Sequence, residues 1–213
     1  MLQQLSIKIV WNVIQQMSHH RKHLIHPQYI ILVLIIGGIT SLFLGFTASY
    51  IYNRVQQGVA PVSIPPLFYF NTLLIVGSSI TLIYAKKMYK DDNTFMFKIS
   101  LGVTLCLSLA FLGMQVIAWR QLMDLNIGLA SSTMASYMYL ISGLHFLHLL
   151  AGIPFLVYFI LEAQKRMKDP VTVLIYFTDP DRRRVLSLLN IYWHFLDGLW
   201  IYLVLFFLIN YLI

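Results

Sequence analysis

The chain of 213 residues is 59% hydrophobic and 11% charged, with a mean hydropathy of +0.74 and a formal net charge of +7. An ordinary soluble domain has about 45–50% apolar and ~25% charged residues, so a soluble globule is excluded. The single cysteine, Cys106, excludes an intramolecular disulfide and a cysteine cluster for zinc or iron–sulfur ligation.

In chain order, residues 1–28 form the first segment. Leu2, Leu5, Ile9, Val13 and Met17 recur every three or four positions, which gives one apolar helix face among Gln, Lys and Asn. This pattern predicts an interfacial amphipathic helix lying on the cytoplasmic leaflet. The segment has no apolar core leading to a small-residue cleavage site, so the mature chain is expected to start near Met1. The adjacent His19, His20, His23 and His26 are read as a solvated juxtamembrane tract rather than a metal cluster.

Residues 29–213 make up the second segment. No Asp, Glu, Lys or Arg occurs from His23 to Asn53, Val55 to Ala85, Ile99 to Trp119 or Leu125 to Leu161. Crossing a bilayer takes roughly 20 apolar residues. Five transmembrane helices are predicted, over Tyr29 to Tyr52, Pro65 to Ala85, Phe97 to Trp119, Thr133 to Ile160 and Leu186 to Leu212. None has the alternating pattern of a barrel strand, so the expected fold is an all-α, polytopic five-helix bundle. Turn-rich stretches such as Gln56 to Pro61, Lys90 to Asn93 and Asp179 to Asp181 suit the interfaces.

The basic residues set the expected orientation. Lys8, Arg21 and Lys22 precede the first span. Lys86, Lys87, Lys90 and Lys98 lie between the second and third, and Lys165, Arg166, Lys168, Arg182, Arg183 and Arg184 between the fourth and fifth. Only Arg54 and Arg120 remain for the opposite side. The positive-inside rule then places the N-terminus in the cytoplasm and the C-terminus outside. It also accounts for the +7 without nucleic acid, because the excess faces the anionic inner leaflet. Arg182, Arg183 and Arg184 are read first as a topology signal, and second as lipid or partner contacts.

Charged groups inside a bilayer are costly. The spans contain one carboxylate, Asp197, and three imidazoles, His145, His148 and His194. A rise of 1.5 Å per residue puts His148 roughly 18 Å and Asp197 roughly 16 Å from the cytoplasmic ends, so a pair between them is open. The i,i+3 spacing of His145 with His148, and of His194 with Asp197, places each pair on one helix face. A helix-borne metal or haem site is one reading of these groups. The other, which we prefer, is a structural polar cluster, since one carboxylate is too few for a di-metal site. Asn71, Ser78, Ser79, Thr81, Gln115 and Asn190 are candidates for bonds between helices, and Gly37, Gly38, Gly113, Gly143 and Gly152 for close helix approach. There is no P-loop, no G-x-S-x-G elbow, no zinc spacing and no acid pair, so no catalytic residue and no cofactor or metal ligand is assigned.

These polar positions carry a resemblance. Asn190 to Trp200, reading N-I-Y-W-H-F-L-D-G-L-W, resembles the W-H-F-x-D-x-x-W signature of subunit III of haem-copper terminal oxidases, the cytochrome c and quinol oxidases. Gly143 to Gly152 resembles that family's G-x-H-x-x-H-x-x-x-G helix. Asn71-Thr72, Ser78-Ser79 and Gly113-Met114-Gln115 leading to Trp119 agree, in the right order on successive spans, as do Trp193 and Trp200.

The resemblance implies a short, five-helix bacterial form in a multi-pass plasma-membrane location. It also implies an enzyme role only as a subunit, because haem and copper are expected in the catalytic subunits and none in this chain. The implied partners are oxidase subunits I and II and bound phospholipid, with cytochrome c or quinol met only through the complex. The implied function is to stabilise the proton-pumping, oxygen-reducing subunit. Two departures, the absence of an acid from Tyr29 to Tyr52 and Ala118 where a glutamate often stands, shift the expectation from proton carrier to packing and lipid-holding partner. A small secondary transporter or proton channel with an intramembrane His/Asp relay is the alternative. Against it, no internal repeat is visible.

Overall fold

Helix boundaries follow from local chemistry at the ends of each apolar run. In the computed structural model, which describes residues 26–167 and 170–212, six helices occur: α1 (Pro27–Gln57), α2 (Pro66–Lys90), α3 (Thr94–Asp124), α4 (Thr133–Arg166), α5 (Pro170–Thr178) and α6 (Pro180–Leu212). Pro66 opens α2 at a position whose N–H would be unpaired in any case. The side chains of Asn93 and Ser132 cap α3 and α4, accepting from the N–H groups of Met96 and Ala135, each at 3.1 Å. Asp179 does the same for α6, accepting from the Asp181 N–H at 2.9 Å.

The C-terminal stops are equally local. Asp92 and Asn126 take left-handed backbone conformations (φ 53° and 60°), tolerable for short polar side chains. The following N–H groups turn back on the last helical turns, from Asn93 to the Met88 carbonyl and from Ile127 to that of Leu122.

Among the described residues all regular structure is helical, and five helices are long and apolar enough to cross a membrane: α1, α2, α3, α4 and α6. They match the five expected spans and run past most of the expected ends, because backbone bonding continues into the interface where side-chain hydropathy falls. The amphipathic segment expected over 1–28 lies outside the described residues except for its last three, of which Pro27 already begins α1.

The chain divides into two compact units, Met1–Ile35 and Ile36–Ile213. The described part of the first, residues 26–35, holds the start of α1. Within the second, α2 and α3 form the closest hairpin, α3 packs on α4, and α6 packs on both α2 and α4. One buried cluster runs between these helices through Phe68, Ile75, Leu82, Phe97, Phe111, Leu149, Trp193 and Trp200. The part of α1 in this unit meets its neighbours through long side chains: Tyr50 lies edge-on to Tyr137, Phe206 and Phe207, and the Tyr202 hydroxyl is 2.9 Å from that of Thr47. Large apolar side chains such as Leu73 and Phe155 stand on the outside, as a lipid solvent permits.

Helix α5 was not expected, since a mostly apolar stretch of nine residues is too short to span and is bounded by prolines. It docks instead. Tyr176 and Phe177 are buried against Tyr89 of α2, whose hydroxyl donates to the Tyr176 carbonyl at 2.9 Å, and Phe177 also meets Phe97 of α3. Just before it, the Met167 carbonyl accepts from Lys98 Nζ at 2.9 Å.

Candidate functional site

The polar side chains of the spans assemble as rungs between α2 and α6. Residues 72, 78, 79, 82 and 86 of α2 meet residues 200, 193, 194, 190 and 187 of α6, so the two helices are antiparallel. Trp200 Nε1 donates to Thr72 Oγ1 at 3.2 Å, and Trp193 Nε1 to Ser78 Oγ at 3.4 Å. Asn190 Nδ2 donates to the Leu82 carbonyl at 3.3 Å and Lys86 Nζ to Ser187 Oγ at 3.4 Å. His194 Nδ1 lies 2.5 Å from Ser79 Oγ. The recurrence at about seven residues is the near-two-turn period that returns a helix to the same face.

From the same buried stripe of α2, Asn71 Nδ2 donates to Gln115 Oε1 of α3 at 2.8 Å, and both residues are fully buried. Their remaining amide atoms, Asn71 Oδ1 and Gln115 Nε2, have no protein partner. Thr72 completes its own bonding by donating to the Phe68 carbonyl at 2.9 Å. Trp200 is enclosed by Phe68, Phe111 and His145, with ring centroids 4.9–5.3 Å away.

The four groups expected to form one polar cluster share no hydrogen bond with one another among the described residues. His145 is fully buried and its Nε2 donates to the Leu196 carbonyl at 3.1 Å, which ties α4 to α6. His148 turns toward α1: its ring is 5.9 Å from Phe43, and its Nδ1 donates to the Leu144 carbonyl of its own helix at 2.7 Å. His194 faces Ser79. Asp197 is buried, and neither carboxyl oxygen has a hydrogen-bond partner among the described residues. No ion pair between Asp197 and His148 is present among the described residues. Axial rise had matched their depths, but the rotation of each helix about its axis sends the two side chains to different neighbours.

Two other expectations are corrected. Arg182 is not free for lipid, because it forms an ion pair with buried Glu162 and a longer one with Asp179 at 3.6 Å. Arg184 pairs with Asp181 at 2.8 Å, while Arg183 is exposed and makes no ion pair among the described residues. Of the five glycines expected to admit a neighbouring helix, only Gly152 has atoms of another helix within 4 Å of an added Cβ, those of Tyr192 and Trp193.

Sequence reading missed the Glu162 site. Arg166 Nε completes it at 3.2 Å, and this i,i+4 Glu–Arg spacing was the available signal. Burial first, and then the Glu162 charge, push the nearby Tyr176 phenol above its ordinary value. No three of His, Cys, Asp and Glu converge as metal ligands among the described residues; His19, His20 and His23 lie outside them.

A model of the family described as cytochrome c oxidase subunit III matches residues 54–211, which include every rung of the α2–α6 system. The chain belongs to this family. It is similar to cytochrome c oxidase subunit 3 of Alkalihalophilus pseudofirmus, at 28% identity over 79% of each chain. It is also similar to that of Bacillus subtilis, at 24% over 80% of each. Cytochrome bo(3) ubiquinol oxidase subunit 3 of Buchnera aphidicola is 28% identical over 64% of this chain and 66% of its own. In a subunit III fold, the W-H-F-x-D-x-x-W signature has a clear physical reading here: Trp193, His194 and Trp200 each bond to a hydroxyl of α2.

Proposed function

We propose that this chain is the non-catalytic subunit III of a respiratory haem-copper oxidase, which stabilises the catalytic subunit and holds phospholipid. The observation that carries the reading is where the polar side chains direct their bonds. Trp193, Trp200, Asn190, His145, Asn71 and Gln115 all bond to another helix of the same chain. Such bonds fix helix packing, each contributing about 0.6–2 kcal/mol in a membrane. The haem and copper of the oxidase belong to its other subunits, and the electron donor, cytochrome c or quinol, meets those subunits.

The exposed apolar faces of α1 to α4 and α6 suit lipid tails and a neighbouring subunit. Arg183, exposed and without an ion pair, is the member of the arginine run suited to a lipid phosphate. The end bearing Lys86, Lys98, Arg182 and Arg183 faces the cytoplasm in this reading, and the C-terminus faces outside.

Purification of the tagged chain in mild detergent tests the reading. We expect oxidase subunits I and II to co-purify with all haem and copper. We also expect an oxidase lacking this chain to start at a normal rate and then inactivate during turnover. Metal held by this chain, or proton transport by the chain alone in liposomes, would refute it.

A further inference from the structure

Asp197 is the least explained group in the molecule. It is 3% exposed, lies in the middle of a membrane-spanning helix, and neither oxygen is hydrogen bonded. Among the described residues no cation pairs with it from any helix packed against α6. Lys86 of α2 donates to Ser187, and the ring nitrogens His145 Nε2 and His148 Nδ1 of α4 donate to the Leu196 and Leu144 carbonyls. Arg54 of α1 donates to Asn210, Arg182 is held by Glu162 next to Tyr176 of α5, and α3 has only Cys106, exposed, between Lys98 and Arg120. A bare carboxylate there would be a buried, unpaired charge, which proteins avoid by keeping the proton.

On the same face of α6, one turn from Asp197, His194 Nδ1 lies 2.5 Å from Ser79 Oγ of α2, so Ser79 stands against the helix face that carries Asp197. The terminal torsion of an aspartate is soft, so the Asp197 carboxyl is free to turn toward Ser79. We propose that Asp197, Ser79 and His194 form a proton-binding chain across the α2–α6 interface, in which the Asp197 carboxylic acid donates to Ser79 Oγ and the Ser79 hydroxyl donates to His194 Nδ1.

This order of donors uses each group once. Aspartic acid supplies an O–H, serine both accepts and donates, and neutral imidazole offers a lone pair. The chain also has a second state. When the Asp197 proton moves to Ser79 and the Ser79 hydrogen passes to His194, a carboxylate and an imidazolium form, serine is unchanged and no proton is gained or lost. The low-dielectric surroundings hold the neutral state as the resting one. Half-buried His194 is the outer end of the chain, and buried Asp197 the inner.

Infrared spectroscopy of the full-length chain, carboxyl-13C-labelled at aspartate and in the complex with which it purifies, tests the assignment. At neutral pH the difference spectrum between the parent and Asp197→Asn should contain a protonated carboxylic-acid carbonyl band. In Ser79→Ala this band should move to the higher frequency of a free acid, and in His194→Gln it should persist. Absence of the band from the parent, its survival in Asp197→Asn, or an unmoved band in Ser79→Ala would overturn the proposal. If Asp197→Asn fails to assemble, the shift in Ser79→Ala decides the matter alone.

Discussion

Gly152 is a point of close contact between α4 and α6, and substituting it measures that contact. A Cβ at this position would lie 3.1 Å from Tyr192 Cε1 and 3.2 Å from Trp193 Cζ3, against the 3.5–4.0 Å at which carbon pairs are comfortable. Neither ring is free to retreat. Trp193 is fully buried and its Nε1 is held by Ser78, while the Tyr192 hydroxyl donates to the His148 carbonyl at 3.0 Å. Overpacking of this kind costs about 1–3 kcal/mol. The intrinsic gain from replacing a helical glycine by alanine, at most about 1 kcal/mol, offsets part of it.

Gly152→Ala should therefore destabilise the purified protein by up to about 2 kcal/mol. Gly143→Ala, on the same helix with nothing within 4 Å, should be neutral or slightly stabilising. Adding Tyr192→Phe to Gly152→Ala should recover part of the loss, since the ring is then released from the His148 carbonyl. Thermal unfolding of the detergent-solubilised protein, followed by circular dichroism, reads all three. Equal stability of the Gly152 and Gly143 variants would refute the close-packed interface.

Other consequences follow from the same geometry. Gln115→Leu leaves the Asn71 amide buried without a side-chain partner and should cost about 1–3 kcal/mol, whereas Asn71→Leu with Gln115→Leu should cost less than either change alone; unfolding of the single and double variants tests this. Glu162→Gln leaves Arg182 and Arg166 without their shared anion. Because both arginines reach solvent, we expect about 1–3 kcal/mol, read as faster tryptic cleavage between α4 and α6. Tyr176 has a pKa raised by burial, so its contribution is fully present below the unfolded phenol value near 10 and is lost as pH rises through the folded value. Stability should fall in alkali above about pH 10, and less so in Tyr176→Phe, as measured by unfolding across that range.

Much of this was readable in the linear chain because hydropathy and charge vary along one coordinate. Four of the five spans were visible as charge-free runs and the fifth as an apolar run interrupted only by Asp197, and their ends were marked by prolines and by Asp92, Asn93, Asn126 and Ser132. The family motif was legible because Trp193, His194, Asp197 and Trp200 are the wrong residues to leave in lipid without a reason. Helix α5 was not legible, since a short, mostly apolar stretch beginning at Pro170 and ending before Pro180 reads equally well as loop; its helical state comes with burial of Tyr176 and Phe177 against Tyr89.

By itself the sequence determined the number of membrane-spanning helices and, because a rise of 1.5 Å per residue converts position into height, the axial position of each polar group within its own helix. It did not determine the direction in which each group points. His148 and Asp197 lie at similar depth and go to different neighbours, Arg182 turns inward to Glu162, and of five glycines only Gly152 meets another helix. Those outcomes depend on the rotation of each helix about its own axis. That rotation is set by how the large side chains of α2, α4 and α6 interlock, which is a property of the packed structure and not of any one span.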